Sequence, residues 1–204
     1  MFRTNLWNKI RYTAYLPVYD FITNLFANAR KHSIDLAEIK PDDKILIVGA
    51  GTGLDLPYLM QYKNITATDI TPAMIGKLKR RADKLGMSVN AQVMDGQNLE
   101  YENNTFDFVI LHLILAVIPD PVKCVKEVER VLKPGGKVAV FDKFLSSEKP
   151  SFLRRILHPV SIVLFTDINR RIEDIISGTN LNIDYNKPAL LNGFFRIIKL
   201  VKKP

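Results

Sequence analysis

One cysteine, Cys124, occurs in the 204 residues. That excludes an internal disulfide framework and a multi-cysteine metal site, and no metal is expected. Cys124 lies in the helix-like run PVKCVKEVERVL, where it reads as a small core residue. Long hydrophobic runs are missing too. The longest nearly uncharged apolar stretch, ILHPVSIVLF, is about half the length that spans a bilayer. The first residues are aromatic and basic with no apolar h-region, so no signal peptide is expected and a cytoplasmic protein is. Internal repeats, low-complexity tracts and flexible linkers are also lacking. What is present is ordinary globular material, 47% hydrophobic and 25% charged, which argues against global disorder. The length suits one full domain with appendages.

The charge is unevenly placed. The chain carries +8 in all, with +3 on residues 1–40, −1 on 41–148 and +6 on 149–204. A neutral middle between basic flanks favours anionic partners, either phosphate groups or an anionic membrane face, while solubility alone is the plainer reading.

From Lys44 onward, short β-rich runs alternate with helical ones. KILIVG reads as a buried strand, followed by a helix from about Leu54. ITATD is a second strand. TPAMIGKLKRRADKLG is a helix with Thr71 as cap, Pro72 in its first position and Gly86 at its end. VNAQVM and FDFVILHL are further strands, Asp120-Pro121 starts a helix through Leu132, and KPGG turns the chain into the strand KVAVFD. LNIDYN and GFFRIIKLVKK close the series as a terminal pair. Such alternation predicts an α/β fold, a mostly parallel sheet with helices on both faces. Residues 1–40 form a helical flank with Phe2, Leu6 and Ile10 on one stripe and Arg3, Lys9 and Arg11 off it. Residues 41–204 form the main domain, with a basic, apolar insert at about 144–177 in which Pro159 should break any helix.

The chemistry gathers where the first strand ends. Gly49, Gly51 and Gly53 let a ligand approach the backbone closely, at the carboxyl edge where open parallel sheets bind ligands. Asp69 ends the second strand, 20 residues after Gly49, where a carboxylate can accept both hydroxyls of a ribose. After the third strand, Asp95 is placed to accept from an adenine amine and Gly96 to give the ring a close backbone. A simple Asp-Gly turn is the plainer alternative. A dinucleotide site would show Gly-x-Gly-x-x-Gly. The pattern here, Gly-Ala-Gly-Thr-Gly, points instead to a cofactor with an amino-acid tail.

The set VGAGTG, ATDITPAMI, VMDGQNLEYENNTFDFVI and EVERVLKPGGKV, over about residues 41–142, resembles class I S-adenosylmethionine-dependent methyltransferases. The resemblance implies a Rossmann-like fold with a seven-stranded sheet whose last strand is reversed, and S-adenosyl-L-methionine as cofactor. It places Gly49, Ala50, Gly51 and Gly53 around the methionine moiety and Asp69 on the ribose. Asp95, Gly96 and Gln97 fall at the adenine, Ile70 and Met74 against its ring, and Leu111 completes the cofactor set. YLPVYDFI, GTGLDLPYL, IPDPVKCVKEVERVLKPGG and ALLNGFFRIIKL extend a narrower similarity, to peripheral bacterial phosphatidylethanolamine N-methyltransferases. That similarity implies a lipid acceptor and contact with the inner face of an anionic membrane. One departure stands out. Ile47 occupies the position where the family usually has Glu or Asp, which helps orient the methionine ammonium. A carboxylate restored there is expected to be tolerated and to meet the cofactor's ammonium.

Methyl transfer from a sulfonium is an in-line displacement with an activated donor, so the protein chiefly positions the acceptor and excludes water. An amine acceptor must lose a proton before it attacks. His112, at the carboxyl end of the fourth strand, is the candidate base or positioning group. Tyr19, in PVYD, is the first candidate for cradling a methylammonium, with Tyr12 and Tyr15 on the same flank. Each also reads as a packing residue. His158, before Pro159, reads as structural or membrane-facing. Three functions compete: phospholipid methylation at a membrane, methylation of a small molecule or quinone with the flanks as a lid, and non-catalytic cofactor binding. No nucleic-acid partner is expected, because the flank aromatics alternate with aliphatics rather than lining a hydrophilic groove.

Overall fold

A computed structural model describes residues 26–145 and 169–204. The stripe of Phe2, Leu6 and Ile10, the tyrosines at 12, 15 and 19, and His158 with Pro159 lie outside these residues.

The described chain runs α1 (Ala27–Asp35), β1 (Ile45–Val48), β2 (Ile65–Asp69), α2 (Pro72–Lys84), β3 (Val89–Val93), β4 (Phe106–His112), α3 (Pro121–Val131), β5 (Leu132–Lys143), α4 (Ile172–Ile176), β6 (Leu181–Leu190) and β7 (Phe195–Lys202). Its strands form a seven-stranded sheet in the order β3-β2-β1-β4-β5-β7-β6. The first five are parallel, and β7 lies antiparallel between β5 and β6. The strand order reverses between β1 and β4, so the crevice at the carboxyl ends of those strands is the ligand-binding place of an open α/β sheet.

Side-chain alternation gives the sheet two apolar faces. Leu46, Val48, Val109 and Leu111 face one core with Cys124, Val125 and Val128 of α3 and Ile172 and Ile175 of α4. Ile45, Ile47, Phe108 and Ile110 face the other, with Ile34 of α1 and Ile75, Leu78 and Ala82 of α2. Strands buried on both sides read as near-continuous apolar runs, and for that reason β1 and β4 were visible in the sequence.

The helix expected from Leu54 is instead a single 3-10 turn, Leu56–Tyr58. Pro57 lacks an N–H, and only eleven residues separate Gly53 from β2, too few for a long helix and its return. Thr71 precedes α2, but its side chain makes no capping bond; at α3, Asp120 does cap, accepting from the Lys123 N–H at 2.9 Å. KPGG lies within β5 rather than before it, because Leu132 already pairs with Phe106 ahead of a register shift.

Candidate functional site

Gly49, Gly51 and Gly53 all have positive φ, at 69°, 56° and 81°, the left-handed region that glycine reaches without strain. A Cβ on Gly49 would also collide with Cδ1 of Ile114. The loop after β1 is thus folded back tightly, with the Ala50 N–H donating to the Thr68 carbonyl at 2.8 Å and the Gly53 N–H to the Ala50 carbonyl at 3.0 Å. Ile114 belongs to the segment after β4. That segment is pinned by Asp142, which accepts from the Ala116 N–H at 2.9 Å, and by Arg170, which donates to the Leu115 and Ile118 carbonyls.

Asp69 stands at the end of β2 beside this loop. One carboxylate oxygen accepts from the Gly51 N–H at 2.9 Å and the other from the Thr71 N–H at 2.8 Å. A carboxylate has about four acceptor sites, so capacity for two ribose hydroxyls remains. Burial pushes the Asp69 pKa upward, against the pull of the two backbone donors. Asp95 accepts from the Gln97 N–H and side-chain amide at 2.9 and 3.0 Å, and Gln97 in turn accepts from the Asp120 N–H at 2.9 Å. A Cβ on Gly96 would lie 2.7 Å from Cγ1 of Val48, so a glycine is needed there to seat the turn on β1.

Not every expected residue offers its side chain. Met74 is buried in the first turn of α2, while Ile70 just after β2 is half-buried. Leu111 points into the core on the α3 face, which leaves only its main chain for a ligand. Ile47 is 1% exposed among Ile34, Ala37 and Leu56. A carboxylate there would be desolvated among aliphatic side chains, a cost that only a charged partner such as the cofactor's ammonium would offset.

A buried polar cluster that the sequence did not suggest lies beside the glycine loop. Arg30 Nη1 donates to both Asp55 oxygens, at 2.9 and 3.0 Å. His112 Nδ1 lies 2.8 Å from Asp55 Oδ1, and its Nε2 lies 3.1 Å from Ser33 Oγ. Burial alone would raise the Asp55 pKa, but the Arg30 guanidinium and His112 outweigh it and hold the carboxyl well below the usual range. Both ring nitrogens of His112 are therefore engaged inside the protein. Next to the cluster, the rings of Phe26, Phe141 and Phe195 pack with centroids 4.8–5.8 Å apart, and Lys143 Nζ sits 5.6 Å above the Phe195 ring. Burial pushes the Lys143 pKa down.

A glycine loop, the Asp69 carboxylate and an Asp-Gly turn thus share one edge of the sheet. Residues 46–140 match the methyltransferase domain family. A SAM-dependent methyltransferase from Methanosarcina mazei superposes with a TM-score of 0.68 at 22% identity, over 83% of this chain and 97% of that one. The chain is an S-adenosyl-L-methionine-dependent methyltransferase with the Rossmann-like class I fold. Among named relatives it is similar to a phosphatidylethanolamine N-methyltransferase of Cereibacter sphaeroides, 24% identical over 163 residues, 78% of this chain and 80% of that protein. It is also similar to a ubiquinone/menaquinone biosynthesis C-methyltransferase of Bdellovibrio bacteriovorus, 29% identical over 116 residues, 55% of this chain and 49% of that protein. The chain thus spans about half the length of this second relative.

Proposed function

We propose that the protein methylates the amine of a phospholipid headgroup, phosphatidylethanolamine, at an anionic membrane surface. The observation that carries this reading is that both basic flanks are rooted at the cofactor's edge of the sheet. The N-terminal flank arrives at Phe26, whose ring packs on Phe141 and Phe195 at the carboxyl end of β5. The insert leaves at Leu145 and returns at Arg170, where the Leu145 N–H donates to the Arg170 carbonyl at 2.9 Å. The β6–β7 tip lies on the same edge and presents Leu191, 73% exposed, close to the exposed Lys187. Apolar groups with basic neighbours suit the interface of an anionic bilayer.

Gly49, Gly51 and Gly53 would cradle the methionine part of the cofactor, Asp69 the ribose, and Asp95 with Gly96 and Gln97 the adenine. The bound cofactor supplies an electrophilic methyl group, and the protein orients the acceptor nitrogen in line with it and excludes water. His112 acts in this reading as a positioning group, since both its nitrogens are bonded. Tyr12, Tyr15, Tyr19 and His158 are assigned to the acceptor side. The Phe195 face, which already holds the Lys143 ammonium, shows the kind of contact a methylated ammonium makes.

A second reading, methylation of a quinone or other small molecule, draws on the Bdellovibrio relative and would make the flanks a lid. Transfer of labelled methyl from the cofactor decides between them. Label in phosphatidylethanolamine derivatives, with vesicle binding that weakens with salt, supports the lipid reading. Label in a quinone or water-soluble fraction overturns it.

A further inference from the structure

We propose that Arg30, Asp55, His112 and Ser33 form a positioning network that makes the methionine end of the cofactor site depend on the seating of α1. The proposal rests on the cofactor assignment alone and holds for any acceptor.

The four side chains come from three places: Arg30 and Ser33 from α1, Asp55 from the turn after the glycine loop, and His112 from the end of β4. All four are buried. Asp55 is two residues past Gly53, and the Leu56 N–H donates to the Gly53 carbonyl at 3.1 Å. Whatever holds Asp55 therefore holds the loop. Arg30 grips both carboxylate oxygens from α1, and His112 bridges the same carboxylate to Ser33 of that helix. His112 continues the row of Phe108 and Ile110, on the face that Ile47 shares. The network thus places a buried carboxylate, neutralised by Arg30, on the very face where Ile47 has none, one step nearer the carboxyl edge.

Stability alone does not explain such a cluster, because well-packed apolar residues of similar volume commonly serve as well as a buried ion pair. What a doubly bridged carboxylate supplies is a fixed geometry between α1, the loop and β4. If seating α1 orders the loop for the cofactor, binding the cofactor must equally hold α1 in place.

Hydrogen exchange and calorimetry with S-adenosylhomocysteine test this on the full chain. In the parent, the ligand is expected to slow exchange of residues 27–35 more than that of α3, which lies on the opposite face. Asp55→Asn is expected to bind the ligand about tenfold more weakly, within the usual span of coupling between sites, and to lose the extra protection of α1. Arg30→Met combined with Asp55→Asn removes both charges together, and serves if the single variant does not fold. It is expected to fold, still bind weakly, and still lack the extra protection. Parental affinity in either folded variant overturns the proposal. So does a parent in which α1 is protected no more than α3. A parent that binds no S-adenosylhomocysteine overturns the cofactor assignment, and the network's role with it.

Discussion

At the nucleoside end of the cleft, Asp69 stands beside the glycine loop and keeps acceptor capacity after binding two backbone N–H groups. At the methionine end, Ile47 turns into the core, and the nearby carboxylate, Asp55, is spent on Arg30 and His112. In the proposed site, one end offers its ligand a carboxylate directly, and at the other the buried carboxylate ties the glycine loop to α1 and β4. Removing a carboxylate should therefore weigh differently at the two ends: chiefly lost affinity at Asp69, and lost stability first at Asp55.

The largest expected effect is Asp55→Leu alone. It leaves Arg30, whose side chain is 5% exposed, without its buried counter-charge, and breaking such a pair by removing one partner costs about 3–5 kcal/mol. Urea unfolding monitored by circular dichroism reads this directly. Asp69→Ala comes next. It should weaken cofactor binding by about 1.5–3 kcal/mol, the usual loss for charge-assisted hydrogen bonds. Its urea midpoint should fall less than that of Asp55→Leu, because the Gly51 and Thr71 N–H groups lose an acceptor but no buried counter-ion is stranded. A drop as large as that of Asp55→Leu would erase the contrast between the two ends.

Gly96→Ala sharpens the nucleoside end. The new methyl would press on Val48, and overpacking of this kind costs about 1–3 kcal/mol. The thermal midpoint should fall, and binding should weaken with it because the Asp95 turn rides on that contact.

The smallest expected effects are in pH. Asp55 has a folded pKa below its unfolded value, so its contribution is present above the ordinary carboxylate range and is lost as pH falls through the folded value. Cys124 runs the other way. Burial pushes its thiol up to about 12, so the stability it contributes is full below the unfolded thiol's pKa of 9.0 and drains away as pH rises from there through the folded value. Urea midpoints across pH should show both limbs, and iodoacetamide should leave the native thiol unmodified at pH 8.

The same contrast explains what could be read from the sequence. β1 and β4 are apolar on both faces, Gly49, Gly51 and Gly53 are spaced as a loop, Asp69 ends β2 and Asp95 follows β3; each signal is local. The network is not local. Arg30 and Asp55 lie 25 residues apart, and Asp55 and His112 lie 57 apart. Apolar periodicity cannot flag Arg30 and Ser33 on the inward face of α1, because they break the apolar stripe they belong to. The one available hint was Asp55 itself, a charge placed directly after the loop in GTGLD. The turn at Leu56–Tyr58 is shorter than the helix that its sequence suggests, because Pro57 lacks an N–H and the span to β2 is short.

The most direct test compares two ligands on two variants. Methylthioadenosine carries the nucleoside and lacks the amino-acid tail, whereas S-adenosylhomocysteine carries both. In calorimetric titrations, Asp69→Ala should weaken both ligands by a similar factor. Asp55→Asn should weaken S-adenosylhomocysteine and leave methylthioadenosine at parental affinity. Equal weakening of both ligands by Asp55→Asn, or no weakening of either by Asp69→Ala, would contradict the division of labour between the two ends of the site.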